Sequence, residues 1–223
     1  MDASWFEPVR AYCERGDAGF WAEPVNALTN AAFLVAAGLA ARRARGDGPV
    51  LALAAVTFVV GIGSFLFHTL ANRWSMLADV IPIAVFIYGY FVLAMTRFFG
   101  LRPAGATALT LAFAALSVGL TPALDALTGR SVSGLTNGSV EYAPAILALL
   151  GVGLALLKRA PGTARSVLAT AVIFLISLAL RTVDVSVCAR MPLGTHFLWH
   201  CFNAVVLYRL LLAATRFRTG REA

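Results

Sequence analysis

The chain has 223 residues, of which 60% are hydrophobic and only 13% charged, and its mean hydropathy is +0.80. Soluble globular domains carry about 25% charged residues, so this balance excludes an ordinary soluble domain and makes the bilayer the solvent for the fold. The net charge of +7 does not signal a nucleic-acid partner, because no basic cluster is interleaved with aromatics; it reads as loop asymmetry in contact with anionic lipid headgroups.

In chain order, the first residues are acidic (Asp2, Glu7, Glu14, Asp17) and lack the basic, apolar, small-residue succession of a cleavable signal peptide. The first span is therefore expected to act as its own signal. Crossing the hydrocarbon takes about 20 apolar residues, and seven stretches qualify, at residues 23–41, 50–70, 77–96, 104–120, 140–157, 166–185 and 195–214. Helices are expected, since a lipid-exposed backbone must bond to itself and the runs lack the alternation of an outer-membrane barrel. The predicted fold is all-α: one seven-helix membrane domain over residues 1–223, with an N-terminal segment at 1–22 and a tail at 216–223. The longest loop, residues 124–139, is rich in Gly, Ser and Thr and reads as a plain connection, and no internal repeat is present.

Basic residues set the expected orientation. Arg42, Arg43, Arg45, Arg97, Arg102, Lys158, Arg159, Arg165, Arg216, Arg218 and Arg221 all fall on one side of the seven spans. Fewer (Arg10, Arg15, Arg73, Arg130, Arg190) share the other side with the acids Asp2, Glu7, Glu14, Asp17 and Asp125. The positive-inside rule then places the N-terminus outside and the C-terminus in the cytoplasm. Cys13 and Cys188 fall on the non-cytoplasmic side, where a disulfide between them is permitted and two free thiols are the alternative; Cys201 reads as a small buried apolar residue.

Ionisable groups are expensive in a bilayer, so each one beside or within a span is a functional candidate. Glu23, Asn26 and Asn30 line one stripe of the first span. On the second, Ser64 and His68 are four residues apart and share a face with Gly61. Asp79 opens the third span, one turn before Pro82. The last span begins with His196 and His200, again four apart, and Asn203 extends their face. Following each span's direction, His68, Asp79, His196 and His200 all arrive at the outer level of the bundle. An i, i+4 histidine pair with a third histidine from another helix suits a catalytic zinc, which takes three protein ligands and keeps a fourth position open. Asp79 would then hold or deprotonate the attacking water. A lone HxxxH pair is more often an interhelical hydrogen-bonding pair, and a serine one turn before a histidine commonly bonds its own helix. Two facts favour the metal: the chain has three histidines in all, and all converge with a carboxylate. Glu14, Asp17 and Glu23 could supply the hard oxygen ligands of a calcium ion, or simply form an acidic cap.

The ordered set Cys13-Glu14, Glu23-x2-Asn26-x3-Asn30, Gly61-x-Gly63-Ser64-x3-His68, Asp79-x2-Pro82, Asp184-x3-Cys188 and His196-x3-His200 resembles the alkaline ceramidases over nearly the whole chain. The resemblance implies a seven-helix amidase that hydrolyses ceramide to a sphingoid base and a fatty acid. It also implies zinc ligation by His68, His196 and His200, proton transfer by Asp79, oxyanion stabilisation by Ser64, a regulatory calcium near Glu14 and Glu23, and a disulfide joining Cys13 to Cys188. The chain departs from the eukaryotic pattern at Ala11, Tyr12 and Gly16, where that family has an Asp-Trp pair and an Asn, so that Asp17 would have to complete a calcium shell. Compact loops and an Arg/Ala-rich composition suggest a bacterial relative, in an inner membrane with its site toward the extracytoplasmic side, acting on ceramide or another N-acyl lipid; no protein partner is implied.

Rival classes differ in what they need. A seven-helix lipid-binding receptor would carry a structural zinc or none, and a structural site is usually closed by a fourth protein ligand. A retinal protein needs a lysine at a span centre, whereas Lys158 lies at a loop edge. A transporter would show an inverted repeat or paired broken helices, which the sequence lacks.

Overall fold

The computed structural model describes residues 4–220, so Asp2 and Arg221 fall outside the described residues. Seven helical segments are long and apolar enough to cross a membrane: Pro24–Arg43, Gly48–Leu70, Arg73–Phe99, Pro103–Thr128, Ser139–Leu156, Pro161–Val187 and His196–Arg218. Among the described residues there is no strand; the sole β pairing is an isolated bridge between Pro8 and Asn72.

Local chemistry explains where these spans start. Pro24, Pro103 and Pro161 sit in a first turn, where a missing N–H costs nothing. Asn72 and Ser75 form a reciprocal capping box that opens the third span. Several spans are longer than hydropathy alone indicates. The fourth runs on to Thr128, and the expected plain loop after it holds a short helix, Val132–Leu135, and the 3-10 turn Ser139–Tyr142.

The first span is broken into Pro24–Thr29 and Ala31–Arg43, where the pattern predicts a continuous helix. Asn30 causes the break. Its side-chain amide donates to the Asn26 carbonyl at 2.9 Å, and its own backbone N–H moves to Ala27 at 3.3 Å. A side chain that competes for the helix ladder tightens the turn.

Two glycines bring the second span close to both neighbours. A Cβ on Gly61 would strike the Leu34 side chain of the first span, and one on Gly63 would strike the Ala78 carbonyl of the third. Pro82 lies four residues beyond Ala78 and has no N–H to offer that carbonyl, so the freed oxygen faces the Gly63 Cα.

The N-terminal segment lies across one end of the bundle. Val9 donates to Ala71, and Arg73 and Trp74 donate to Glu7 and Trp5; a disulfide joins Cys13 to Cys188 at the end of the sixth span. At the opposite end, Asp47 is clamped by Arg97 and Arg218. The bundle's outer face is apolar: Leu127, Val118, Leu111 and Leu147 are largely exposed, as lipid-facing residues would be.

Candidate metal centre

The site is built from helix ends at the level of the N-terminal segment. His68 lies in the last turn of the second span, and His196 and His200 lie in the first two turns of the seventh. All three are essentially inaccessible to solvent. One ligand atom from each converges, the three lying within 4.8 Å of one another. The atoms left without a hydrogen-bond partner are His68 Nε2, His200 Nε2 and His196 Nδ1.

Neighbouring residues decide which nitrogen is bare. The Nδ1 of His68 meets Glu23 Oε2 at 2.6 Å; an ionised carboxylate only accepts, so Nδ1 carries the proton and Nε2 keeps its lone pair. Thr29 Oγ1 lies 2.9 Å from His200 Nδ1 and sends its own proton to the carbonyls of Val25 or Asn26. It therefore accepts from Nδ1 and leaves His200 Nε2 bare. Partners of this kind orient metal-binding imidazoles and fix their tautomer. Tyr12 stacks on His196 with ring centroids 3.5 Å apart. Burial raises the Tyr12 hydroxyl to about 12, so it stays protonated.

The seventh span is aimed by Asp184. Its Oδ1 accepts from the backbone N–H of Thr195 at 2.6 Å and of His196 at 2.9 Å, and its Oδ2 from Cys13 N at 3.1 Å. A fully buried carboxylate thus caps the helix that carries two of the histidines, in the end-of-helix geometry that favours an anion. Gly194, at φ +63°, packs on that carboxylate with no room for a Cβ.

Asp79 and Ser64 complete the arrangement. The two side chains face each other, and both line a cavity with His200 and Asn203. Asp79 Oδ1 and Asn203 Nδ2 are buried without a partner. Away from this polar end the cavity is apolar, walled by residues such as Phe86, Phe91, Val152 and Phe174, and it follows the third and seventh spans as far as Ala94 and Leu210.

Among the described residues no other trio of His, Cys, Asp or Glu side chains gathers this way. Three buried ring nitrogens with nothing to bond fit zinc, which favours imidazole and tolerates an open fourth position. The carboxylates expected to hold calcium are otherwise engaged. Both oxygens of Glu14 accept at 2.7 Å from the backbone N–H groups of Val25 and Asn26. Glu23 serves His68, Arg15 and Asn26. Asp17 is exposed and bonds Gly19 N. This donor set does not fit a calcium ion.

The comparison with protein families accords with this geometry. A sequence model of the family described as Ceramidase matches residues 12–223. The chain belongs to the ceramidase family. No curated protein matches it. Membership brings with it the coarse activity of that family, hydrolysis of an amide in a lipid substrate by a membrane-embedded helical protein.

Four residues of this ceramidase-family site escape sequence reasoning. Arg15, Tyr12 and Thr29 carry no motif and are found only through the contacts that the fold creates. Arg181 did carry a signal, as an arginine within the sixth predicted span. It donates to the Tyr12 hydroxyl at 2.9 Å, and its guanidinium lies 5.2 to 5.8 Å from the ring centres of Trp199, Tyr12 and Tyr142, a cation–π cage.

Proposed function

We propose that the protein is a zinc-dependent intramembrane amidase that cleaves ceramide, or a related N-acyl lipid, to a sphingoid base or amine and a fatty acid. One observation carries this reading: three bare ring nitrogens sit beside Asp79 and Ser64 at the polar end of an apolar cavity. His68, His196 and His200 would hold the metal. Bound there, zinc would polarise the amide carbonyl and bring the pKa of water toward about 7. Asp79 takes the proton of the attacking water and delivers it to the departing nitrogen. Ser64 donates its hydroxyl to the carbonyl oxygen as negative charge develops on it. The acyl chain fills the apolar length of the cavity, where burial of each methylene contributes about 0.8 kcal/mol, and this keeps the amide at the polar end. By the positive-inside rule the site faces the extracytoplasmic side.

The test is metal analysis of the purified protein together with incubation on a panel of N-acyl lipids. His200→Ala is expected to lose both bound zinc and hydrolysis. Stoichiometric zinc with full activity in that variant sinks the assignment, and zinc in the wild type without turnover of any amide favours a lipid-binding receptor.

A further inference from the structure

Arg15 is a buried arginine in a segment that hydropathy assigns to the aqueous edge of the bundle. It is 4% exposed. Its Nε donates to Glu23 Oε1 at 2.5 Å, one terminal nitrogen to the His68 carbonyl at 2.9 Å, and the other to the carbonyls of Asp17 at 3.4 Å and Gly19 at 3.5 Å. One carboxylate and three backbone carbonyls therefore converge on a single positive charge. That is the type of donor set a calcium ion takes, and Glu23 is among the residues to which the family resemblance assigns calcium.

We propose that Arg15 is the resident cation of this loop, replacing a divalent metal and making this ceramidase-family protein independent of calcium. Three features of the contacts bear on it. Arginine spreads its charge over a planar fork of donors, so it satisfies several oxygens at once and is never deprotonated. The His68 carbonyl belongs to the last turn of the second span, where orphan carbonyls and the negative end of the helix dipole favour a cation. And the partner of Arg15, Glu23, passes its other oxygen to His68 Nδ1. Arg15 thus holds both the backbone and, through Glu23, the ring of one histidine, which makes it a positioning residue for the metal centre. A calcium ion in the same place would need the oxygens that the guanidinium already occupies.

The inference goes beyond the amidase reading, and its calcium arm needs no zinc, so the two fail separately. The experiment uses the full-length protein in detergent micelles, with calcium binding followed by equilibrium dialysis and the unfolding midpoint measured with a calcium chelator in a zinc-buffered solution that holds free zinc constant, or with millimolar calcium at the same free zinc. The wild type is expected to bind no calcium and to unfold at the same temperature in both conditions. Arg15→Ala is expected to unfold several degrees lower in chelator and to regain part of that loss with calcium. Arg15→Lys, which keeps the charge but not the fork, is expected to fall between the two, and supplies the comparison if the alanine variant does not fold. A separate competition with a zinc chelator reads the positioning role: Arg15→Ala should weaken zinc retention about 10- to 100-fold, the usual effect of disturbing a ligand's supporting partner, with partial rescue in Arg15→Lys. Stoichiometric calcium on the wild type, a chelator-induced drop in its midpoint, or an Arg15→Ala protein that matches the wild type in chelator and in zinc retention overturns the proposal.

Discussion

In the proposed mechanism Asp79 and the histidines have separable tasks, and a single substitution tests it. Asp79 is absent from the set of converging ring nitrogens, and its Oδ1 has no protein partner. Asp79→Asn keeps the size and the neutral hydrogen-bonding capacity of the side chain but cannot accept a proton. Zinc content is expected to stay at the wild-type level while turnover falls about 10²- to 10⁴-fold, the usual worth of a positioned general base. Metal analysis beside a hydrolysis assay checks this, and loss of zinc in the variant would instead make Asp79 a ligand. The histidines, Ser64 and Asp79 were legible in the sequence because polar residues are rare in such spans and their depth follows from helix direction. Thr29 and Arg15 were not: a threonine near a helix start is unremarkable in any apolar chain, and only the breaking of the first span at Asn30 and the folding back of the N-terminal segment bring these residues to the histidines.

At the scale of elements, the second span is the one that others are fitted to. It touches the first through Gly61 and the third through Gly63, and it carries both Ser64 and His68. The Gly63 contact is the tighter, because the obstacle to a side chain is the Ala78 backbone carbonyl, which cannot rotate away. Gly63→Ala must therefore push the third span aside by more than side-chain adjustment allows. Overpacking of this kind typically costs about 1–3 kcal/mol, and here it also moves Asp79, the residue next to Ala78. Hydrolysis should fall at least tenfold even at temperatures where the variant is folded, with zinc affected less, since no histidine lies on the third span. A folded Gly63→Ala protein with wild-type turnover would separate the glycine from the site. Sequence alone places Gly61 on the stripe of Ser64 and His68 and Gly63 within the same motif, but shows the target of neither; what each one faces depends on how neighbouring helices are rotated about their axes, which a hydropathy profile does not encode. The same limit applies to Asp184, which caps a different helix across a connection that turns at Gly194, at φ +63°.

For the whole molecule, seven spans could be counted from composition because hydropathy is a sum over about 20 residues and tolerates local error, whereas the ends of the spans are set by caps and prolines and drifted by several residues. What fastens those ends is polar. At the end of the bundle opposite the metal centre, Asp47 caps the second span through Val50 N–H at 3.4 Å. It also receives two hydrogen bonds of 2.8 Å from Arg97 and an ion pair from Arg218 at 3.2 Å. One carboxylate thus ties the first connecting loop to the third and seventh spans, and Arg97 and Arg218 add bonds to the carbonyls of Ala214 and Gly46. Burial alone raises the Asp47 carboxyl, but the hydrogen bonds and charge of Arg97, helped by the Val50 N–H and Arg218, outweigh it and lower the group below its usual value. The sign of the pH dependence follows. A carboxyl whose folded value lies below its unfolded one, about 3.9 for aspartate, contributes its stability in full above the unfolded value and loses it as pH falls through the folded one. The unfolding midpoint of the wild type should therefore be insensitive to Asp47 between about pH 7 and pH 5. Asp47→Asn should unfold several degrees lower in that range, because two arginines lose their partner, and the gap between the two proteins should begin to close below about pH 4, where the unfolded wild-type carboxyl takes up its proton, and vanish as the pH falls through the lower folded value. Midpoints measured in parallel across pH 3 to 7 isolate the residue from the other carboxylates; a gap that is absent at pH 7, or that widens in acid, would mean that the arginines at this end are held by something other than Asp47.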